Sequence, residues 1–375
     1  MIKVVEAISD SNIGGAGIVL LNRLRCIDKS KFSTTVILPR RSMLRKPLEE
    51  MGIKILEIGK GDRSFSLLDL PALFLTVRKL SPDIINSHAW LTSRIAATLA
   101  GVKSRVYTRH CSFPVPRIYR HRTVCLLNRA FFSLTSDKAI AVAKVVKEDL
   151  VSMGLRPGDI SLVVNGACPV RMLKKEEKDQ LKKDLKIPQK ARIVSIFARL
   201  EVYKDHRTFL NAAKILSDTD KRYRFLIVGG GSLLGELKKY AEKLGISHFV
   251  RFTGFVEDVA PYMNVTDINV NCSVGTETSS LSLSEGMSLG IPAVASDYGG
   301  NPYMVRNGEN GYLFEAGNAK ALAEKILQLE DATLYKRLSL GAKARFDSEL
   351  NANAMAKKTE QIYKELFSGK ARRNY

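Results

Sequence analysis

The chain has 375 residues, 45% of them hydrophobic, which is long for one domain and enough to fill two cores. Lys and Arg number 59 against 38 Asp and Glu, a formal net charge of +21, which suits an anionic partner (an acidic substrate, an anionic lipid surface or a nucleic acid) or is a solvated basic surface with no specific ligand. Five scattered cysteines (Cys26, Cys111, Cys125, Cys168 and Cys272) make no CxxC pair and no Cys/His group, which argues against a zinc site and against a disulfide framework.

Met1 leads straight into a strand pattern at 2–8, with no basic segment followed by an apolar one, so no secretory leader is expected. No apolar run reaches the roughly 20 residues that cross a bilayer. The expectation is a cytoplasmic protein, able to sit peripherally on the cytoplasmic face of an inner membrane. Further strands are expected at 34–38, 53–58, 83–86, 105–108, 139–142 and 162–164, with helical patterns such as 17–25, 68–79 and 92–100 between them. Residues 171–190 are rich in Lys and Glu, lack aromatics, and read as a polar linker with a helix. The strand rhythm resumes at 192–197, 224–228, 250–252, 268–270, 293–295 and 311–314. Strand, helix, strand in alternation predicts an α/β fold with parallel sheets, and about 13 strands are too many for one ordinary sheet. Two doubly wound, Rossmann-like domains facing across a cleft are therefore expected: 1–170, then the linker 171–190, then 191–350. Residues 351–375 read as an amphipathic helix, one able to pack back on the first domain, and a frayed end at 369–375.

Ligands of open parallel sheets gather where strands end and helices begin, and four segments fall there. Ser11-Asn-Ile-Gly14-Gly15-Ala-Gly17 follows the first strand; its glycines admit a ligand close to the backbone, or make a tight structural turn. It lacks the third glycine of a dinucleotide fingerprint, and the second strand ends in Arg40-Arg41 with no acid, which disfavours NAD. Arg199 and Lys204, leaving the first strand of the second half, have the chemistry to close on a diphosphate, or are ordinary surface cations. Gly229-Gly230-Gly231 ends the next strand as a tight turn, with some scope for backbone contact to a ligand. The most informative segment is Thr276-Glu277-Thr-Ser279-Ser280-Leu281-Ser-Leu-Ser-Glu285. A loop carrying Glu277 and then a helix containing Glu285 are expected; the two carboxylates, eight positions apart (about 12 Å along a straight helix), suit the hydroxyls of two sugars, and the N–H groups of 279–282, at the helix start, suit phosphates.

In this order the segments resemble the retaining GT-B glycosyltransferases of family 4, the group 1 glycosyltransferases, and the resemblance covers nearly the whole chain. Glu277 and Glu285 match the EX7E motif, and Gly14-Gly15 is similar to the family's first glycine loop. Pro82-Asp-Ile-Ile-Asn-Ser-His88, Tyr107-Thr-Arg-His110, Val164-Asn-Gly166, Phe252-Thr-Gly254-Phe255-Val256 and Tyr298-Gly-Gly-Asn-Pro302 match further loops. Three departures stand out: Ser279-Ser280 where many members have Phe-Gly, Asn301 where an acid is usual, and Cys168 after the Asn-Gly turn.

The resemblance implies a metal-independent, retaining hexosyltransferase with no cofactor, using a nucleotide sugar, the UDP form being the commoner one. It implies catalytic roles for His110, Arg199, Lys204 and Glu277. It implies substrate binding by Gly14, Gly15, His88, Gly229, Gly230, Phe255, Val256, Ser279, Ser280, Leu281 and Glu285, with Glu285 at the ribose. The acceptor belongs to the N-terminal domain, where residues 103–147 carry ten Lys and Arg and one acid, Asp137. Phe113, Ile118, Tyr119, Leu126, Leu127, Phe131 and Phe132 interleave there, so an anionic membrane surface and a lipid-linked or cell-surface glycan acceptor, such as lipopolysaccharide core, are expected. A noncatalytic sugar-nucleotide-binding relative stays open. A nucleic-acid-binding protein, with no recognised module, and an NAD(P) oxidoreductase are the weaker alternatives.

Overall fold

The structure, a computed structural model, describes residues 1–369, so the end read as frayed lies, from residue 370, outside the described residues. The described chain forms two parallel sheets. The first contains β1 (Ile2–Ile8), β2 (Phe32–Leu38), β3 (Lys54–Glu57), β4 (Ile84–His88), β5 (Ser104–Arg109), β6 (Lys138–Ala141) and β7 (Ile160–Leu162), in the order β3-β2-β1-β4-β5-β6-β7. The second contains β8 (Arg192–Phe197), β9 (Tyr223–Val228), β10 (Val250–Gly254), β11 (Ile268–Asn271), β12 (Ala293–Ser296) and β13 (Gly311–Phe314), in the order β10-β9-β8-β11-β12-β13. Both are doubly wound α/β sheets, as the alternating pattern predicts. Their strands are apolar on both faces because helices cover both: Val194, Ile196, Ile227 and Val270 lie on one side of the second sheet's core, Ile193, Leu226 and Val228 on the other.

The chain divides into two compact units, Ala167–Asn351 as one and Met1–Gly166 with the C-terminal stretch from Ala352 as the other. The segment 171–190, expected as a linker, is the outer layer of the second unit. Its helix Lys175–Asp184 has no buried residue. Sparse apolar residues around it nevertheless reach the core: Ile187 is buried, and Leu181 and Leu185 pack beside it. The Leu173 N–H donates to Asn264 (2.9 Å) and Arg251 donates to the Leu185 carbonyl (2.7 Å), which fix both ends. In the first unit the helix Ala352–Phe367 lies on the helix Gly15–Cys26, burying Met355, Ala356, Thr359, Ile362, Tyr363 and Leu366 at helical spacing.

Each sheet reverses its strand order once, between β1 and β4 and between β8 and β11. At such a point neighbouring strands send their connections in opposite directions and leave a crevice at their carboxyl ends.

Candidate active site

In the second unit the β8/β11 crevice is lined by 198–204 and 272–280. Lys204 ends a single 3-10 turn, Val202–Lys204, and places its ammonium 2.7 Å from Glu277 Oε2. The Ser273 hydroxyl (2.8 Å) and the Asn271 amide (3.1 Å) donate to that same oxygen. All three donors converge on Oε2; among the described residues none meets Oε1. Glu277 is only 6% exposed, so burial pushes its carboxyl up, but Lys204 and the hydrogen bonds pull harder and hold it below the usual range. Arg199 differs from Lys204. It is exposed and hydrogen-bonds Tyr203 Oη. His206, buried just after Lys204, is driven down to about 4 by burial and by that cation.

Glu285 stands on the helix Leu281–Ser288. That helix begins four residues after Glu277, because Ser280 caps it by accepting from the Leu283 N–H (3.4 Å). Glu277 therefore lies on the loop and Glu285 on the helix after it, as expected, and the 12 Å rise of a straight helix is not their separation. The Glu285 carboxylate meets no hydrogen-bond donor among the described residues, and burial alone raises it to about 7. Ser279 and Ser280 are both buried, and Leu281 opens the helix.

Glycines and amides hold this arrangement from behind. A Cβ on Gly300 would lie 1.4 Å from the Thr278 carbonyl oxygen, and the Gly300 N–H donates to the Glu277 carbonyl (3.1 Å). Asn301, where the family usually has an acid, is fully buried and donates to Ser296 Oγ (3.1 Å); Ser296 in turn donates to the Ser273 carbonyl (2.6 Å). The departure at 301 is thus a brace for the residue that holds Glu277. Gly229 and Gly231 are demanded by packing: Cβ atoms there would sit 2.1 and 2.5 Å from the carbonyls of Ala198 and Leu200. Gly230 faces Phe255, which is 78% exposed, whereas Val256 packs on the core.

At the β1/β4 crevice of the first unit, polar residues interrupt otherwise apolar strands. Glu6 is fully buried; its Oε2 receives Arg23 (2.7 Å) and His88 Nε2 (2.8 Å), and its Oε1 the Tyr363 hydroxyl (2.8 Å). Burial would raise the Glu6 carboxyl, but Arg23 and His88 bring it to about 2. His88 Nδ1 then contacts His110 Nε2 (2.8 Å), and burial, with His88 and Arg23, keeps His110 far below the ordinary imidazole range. Both nitrogens of His88 are occupied, so it acts through its neighbours rather than on a ligand directly. A Cβ at Gly17 would lie 2.8 Å from the end of the Leu44 side chain, which would have to shift, while Cβ atoms at Gly14 and Gly15 would meet nothing within 4 Å.

Sequence reasoning missed Glu6, Arg23, Tyr363, Asn271 and Ser273. The readable signal was polarity inside a buried strand, as in Ile2-Lys-Val-Val-Glu6-Ala-Ile8. The basic run also divides. Phe132 is in the core and Tyr119 partly buried, but Phe113, Ile118, Leu126, Leu127, Phe131 and Leu134 are exposed on or before the helix Arg122–Thr135, beside exposed Arg117, Arg120 and Arg122. Among the described residues no group of three His, Cys, Asp or Glu could hold a metal ion, and no helix is long and apolar enough to cross a membrane.

Comparison with known proteins places this geometry. The family described as Glycosyl transferases group 1 matches residues 177–345, and Glycosyltransferase Family 4 matches 13–170. Together the two glycosyltransferase models span most of the chain, which is a glycosyltransferase. It is 23% identical over 371 residues to the Escherichia coli UDP-Gal:alpha-D-GlcNAc-diphosphoundecaprenol alpha-1,3-galactosyltransferase, covering 96% of this chain and 95% of that one. EpsD of Bacillus subtilis (strain 168) is 33% identical over 132 residues, a match spanning 35% of this chain and only 34% of the relative. Anabaena HepE in complex with UDP and glucose superimposes with a TM-score of 0.83 at 19% identity, over 97% of this glycosyltransferase and all of that chain. The GT-B fold of this glycosyltransferase follows from these matches.

Proposed function

We propose that this glycosyltransferase moves a hexose from a UDP-sugar to a lipid-linked glycan, with retention of anomeric configuration and without a metal ion. The observation that carries this reading is the Glu277 carboxylate: Oε2 is anchored by three donors and Oε1 is left to accept a hydroxyl of the transferred sugar. Glu285, which meets no donor among the described residues, takes the ribose hydroxyls. Exposed Phe255 beside Gly230 offers a face for the base, with Val256 backing the loop. The N–H groups of Ser279, Ser280 and Leu281 and the cations of Arg199 and Lys204 oppose the charge that develops on the departing diphosphate. In the first unit, His110, held by His88, and the open backbone at Gly14 and Gly15 serve as substrate-binding groups. UDP as the carrier is supported by HepE, whose complex contains UDP and glucose, and by the E. coli relative's UDP-Gal.

A lipid-linked acceptor is supported by that relative's diphosphoundecaprenol-linked substrate and by the exposed apolar and basic face around Arg122–Thr135, which fits the cytoplasmic face of an anionic membrane. A thermal-shift panel of UDP-, GDP- and ADP-hexoses tests the carrier, since a ligand that binds only the folded state raises Tm. UDP release and the anomeric configuration of the product, read by NMR, test the reaction. Binding without UDP release in the presence of lipid-linked glycans would instead make the chain a noncatalytic relative.

A further inference from the structure

The loop after β1 holds a carboxylate that the fold does not use. Its backbone is pinned on every side. The Asp62 N–H donates to the Ser9 carbonyl (2.8 Å), and the Ser11 N–H donates to Asp62 Oδ1 (3.0 Å). The Met43 N–H donates to the Ser11 carbonyl (2.8 Å), and the Ser42 hydroxyl to the Asp10 carbonyl (3.1 Å). These bonds tie the loop to those following β2 and β3 and hold the backbone at Asp10. Yet no donor among the described residues meets its carboxylate. An Asp in a loop ordinarily bonds a backbone N–H a little further along, as an Asx turn or a helix cap. Asp10 does neither, and the helix Gly15–Cys26 starts at Gly14 with no side-chain cap.

Asp10 is half-buried, and this partial burial raises its carboxyl, with His88 drawing it down and Asp62 pushing it up. A partly desolvated carboxylate that meets no donor among the described residues has lost hydration without a protein hydrogen bond in return. Glu285 of the second unit has the same character. We propose that Asp10 is the acceptor-binding carboxylate of this enzyme, receiving a hydrogen bond from a hydroxyl of the incoming glycan. This rests on the transferase reading above. An ionised carboxylate only accepts hydrogen bonds, so the missing donor is a polyol, and the open space at Gly14 and Gly15 leaves room for it.

The test is Asp10→Asn in the full chain, with a short-chain diphospholipid carrying N-acetylglucosamine as acceptor and the best-binding UDP-hexose as the second substrate. Without ligand, the variant melts at the wild-type temperature or above it. Its kcat/KM for the diphospholipid falls about ten- to a hundredfold, the loss expected for a hydrogen bond to a charged group, and appears mainly in the acceptor KM. UDP affinity by calorimetry stays as in the wild type. A lower melting temperature would make Asp10 a structural residue and overturn the assignment, as would unchanged acceptor kinetics in a variant that folds. A wild-type protein that binds UDP-hexose but leaves the diphospholipid untouched overturns the acceptor class proposed above, and this assignment with it.

Discussion

Replacing Lys204 by Met keeps most of the side chain's volume and removes the ammonium that lies 2.7 Å from Glu277 Oε2. Glu277 is then a carboxylate with a 7% exposed side chain whose remaining donors, Ser273 and Asn271, are neutral. Breaking a buried ion pair from one side costs about 3–5 kcal/mol. Lys204 is 17% exposed, so water tempers the loss, and about 2–4 kcal/mol is the expected penalty. For a unit of this size that is roughly 4–16 °C in Tm. Thermal unfolding of the full chain reads it, and hydrogen exchange in β8 and β11 localises it. The double variant Lys204→Met/Glu277→Gln recovers most of the loss, because no charge is stranded.

The pH trend separates this cause from general damage. In the wild type the Glu277 carboxyl lies below its unfolded value, so its contribution is present above that value and fades as pH falls through the folded one. Without Lys204 burial dominates and raises the carboxyl, so the variant gains stability as pH falls through the raised value. A Lys204→Met protein with wild-type Tm and the wild-type acid trend would refute the claim that this pair holds Glu277.

Glu285 lies at about 7, above its unfolded value, so it favours the folded state fully below the ordinary carboxylate range and loses that contribution as pH rises through about 7. Glu285→Gln therefore melts higher than wild type at pH values above about 7 while UDP binding weakens about tenfold or more, measured by scanning fluorimetry and calorimetry. Gly300→Ala, whose Cβ would overlap the Thr278 carbonyl, lowers Tm markedly and abolishes UDP binding; Gly15→Ala, with open space around it, leaves Tm unchanged and slows turnover. Replacing Arg117, Arg120 and Arg122 together by Glu abolishes co-sedimentation with vesicles rich in anionic lipid at moderate salt, whereas Tm stays unchanged because all three side chains are exposed.

Much of this protein is written locally. Each short apolar run became a strand because a strand buried on both faces has to be apolar throughout, and alternation with helices left parallel sheets as the solution. Glycine turns and paired acids after those strands were legible for the same reason, since loops at the carboxyl ends are where backbone must turn and ligands can approach. One misjudgement was local as well: the polarity of 171–190 concealed the few apolar residues that anchor it.

Other features had no local signature. Gly14 and Gly229 look alike in sequence, yet only the fold puts the Ala198 carbonyl against one and open space beside the other. Asn301 reads as a lost acid until Ser296, Ser273 and Glu277 are seen to lie in sequence behind it. Tyr363 stands 357 residues from Glu6 and bonds it directly, because the last helix returns to the first unit. The sequence by itself determined the class of fold, since hydrophobic period and turn chemistry act over a few residues. Tertiary structure alone decided which oxygen of Glu277 is held and which is offered, and left Asp10 and Glu285 without donors, because hydrogen-bond partners and burial come from strands and loops far apart along the chain.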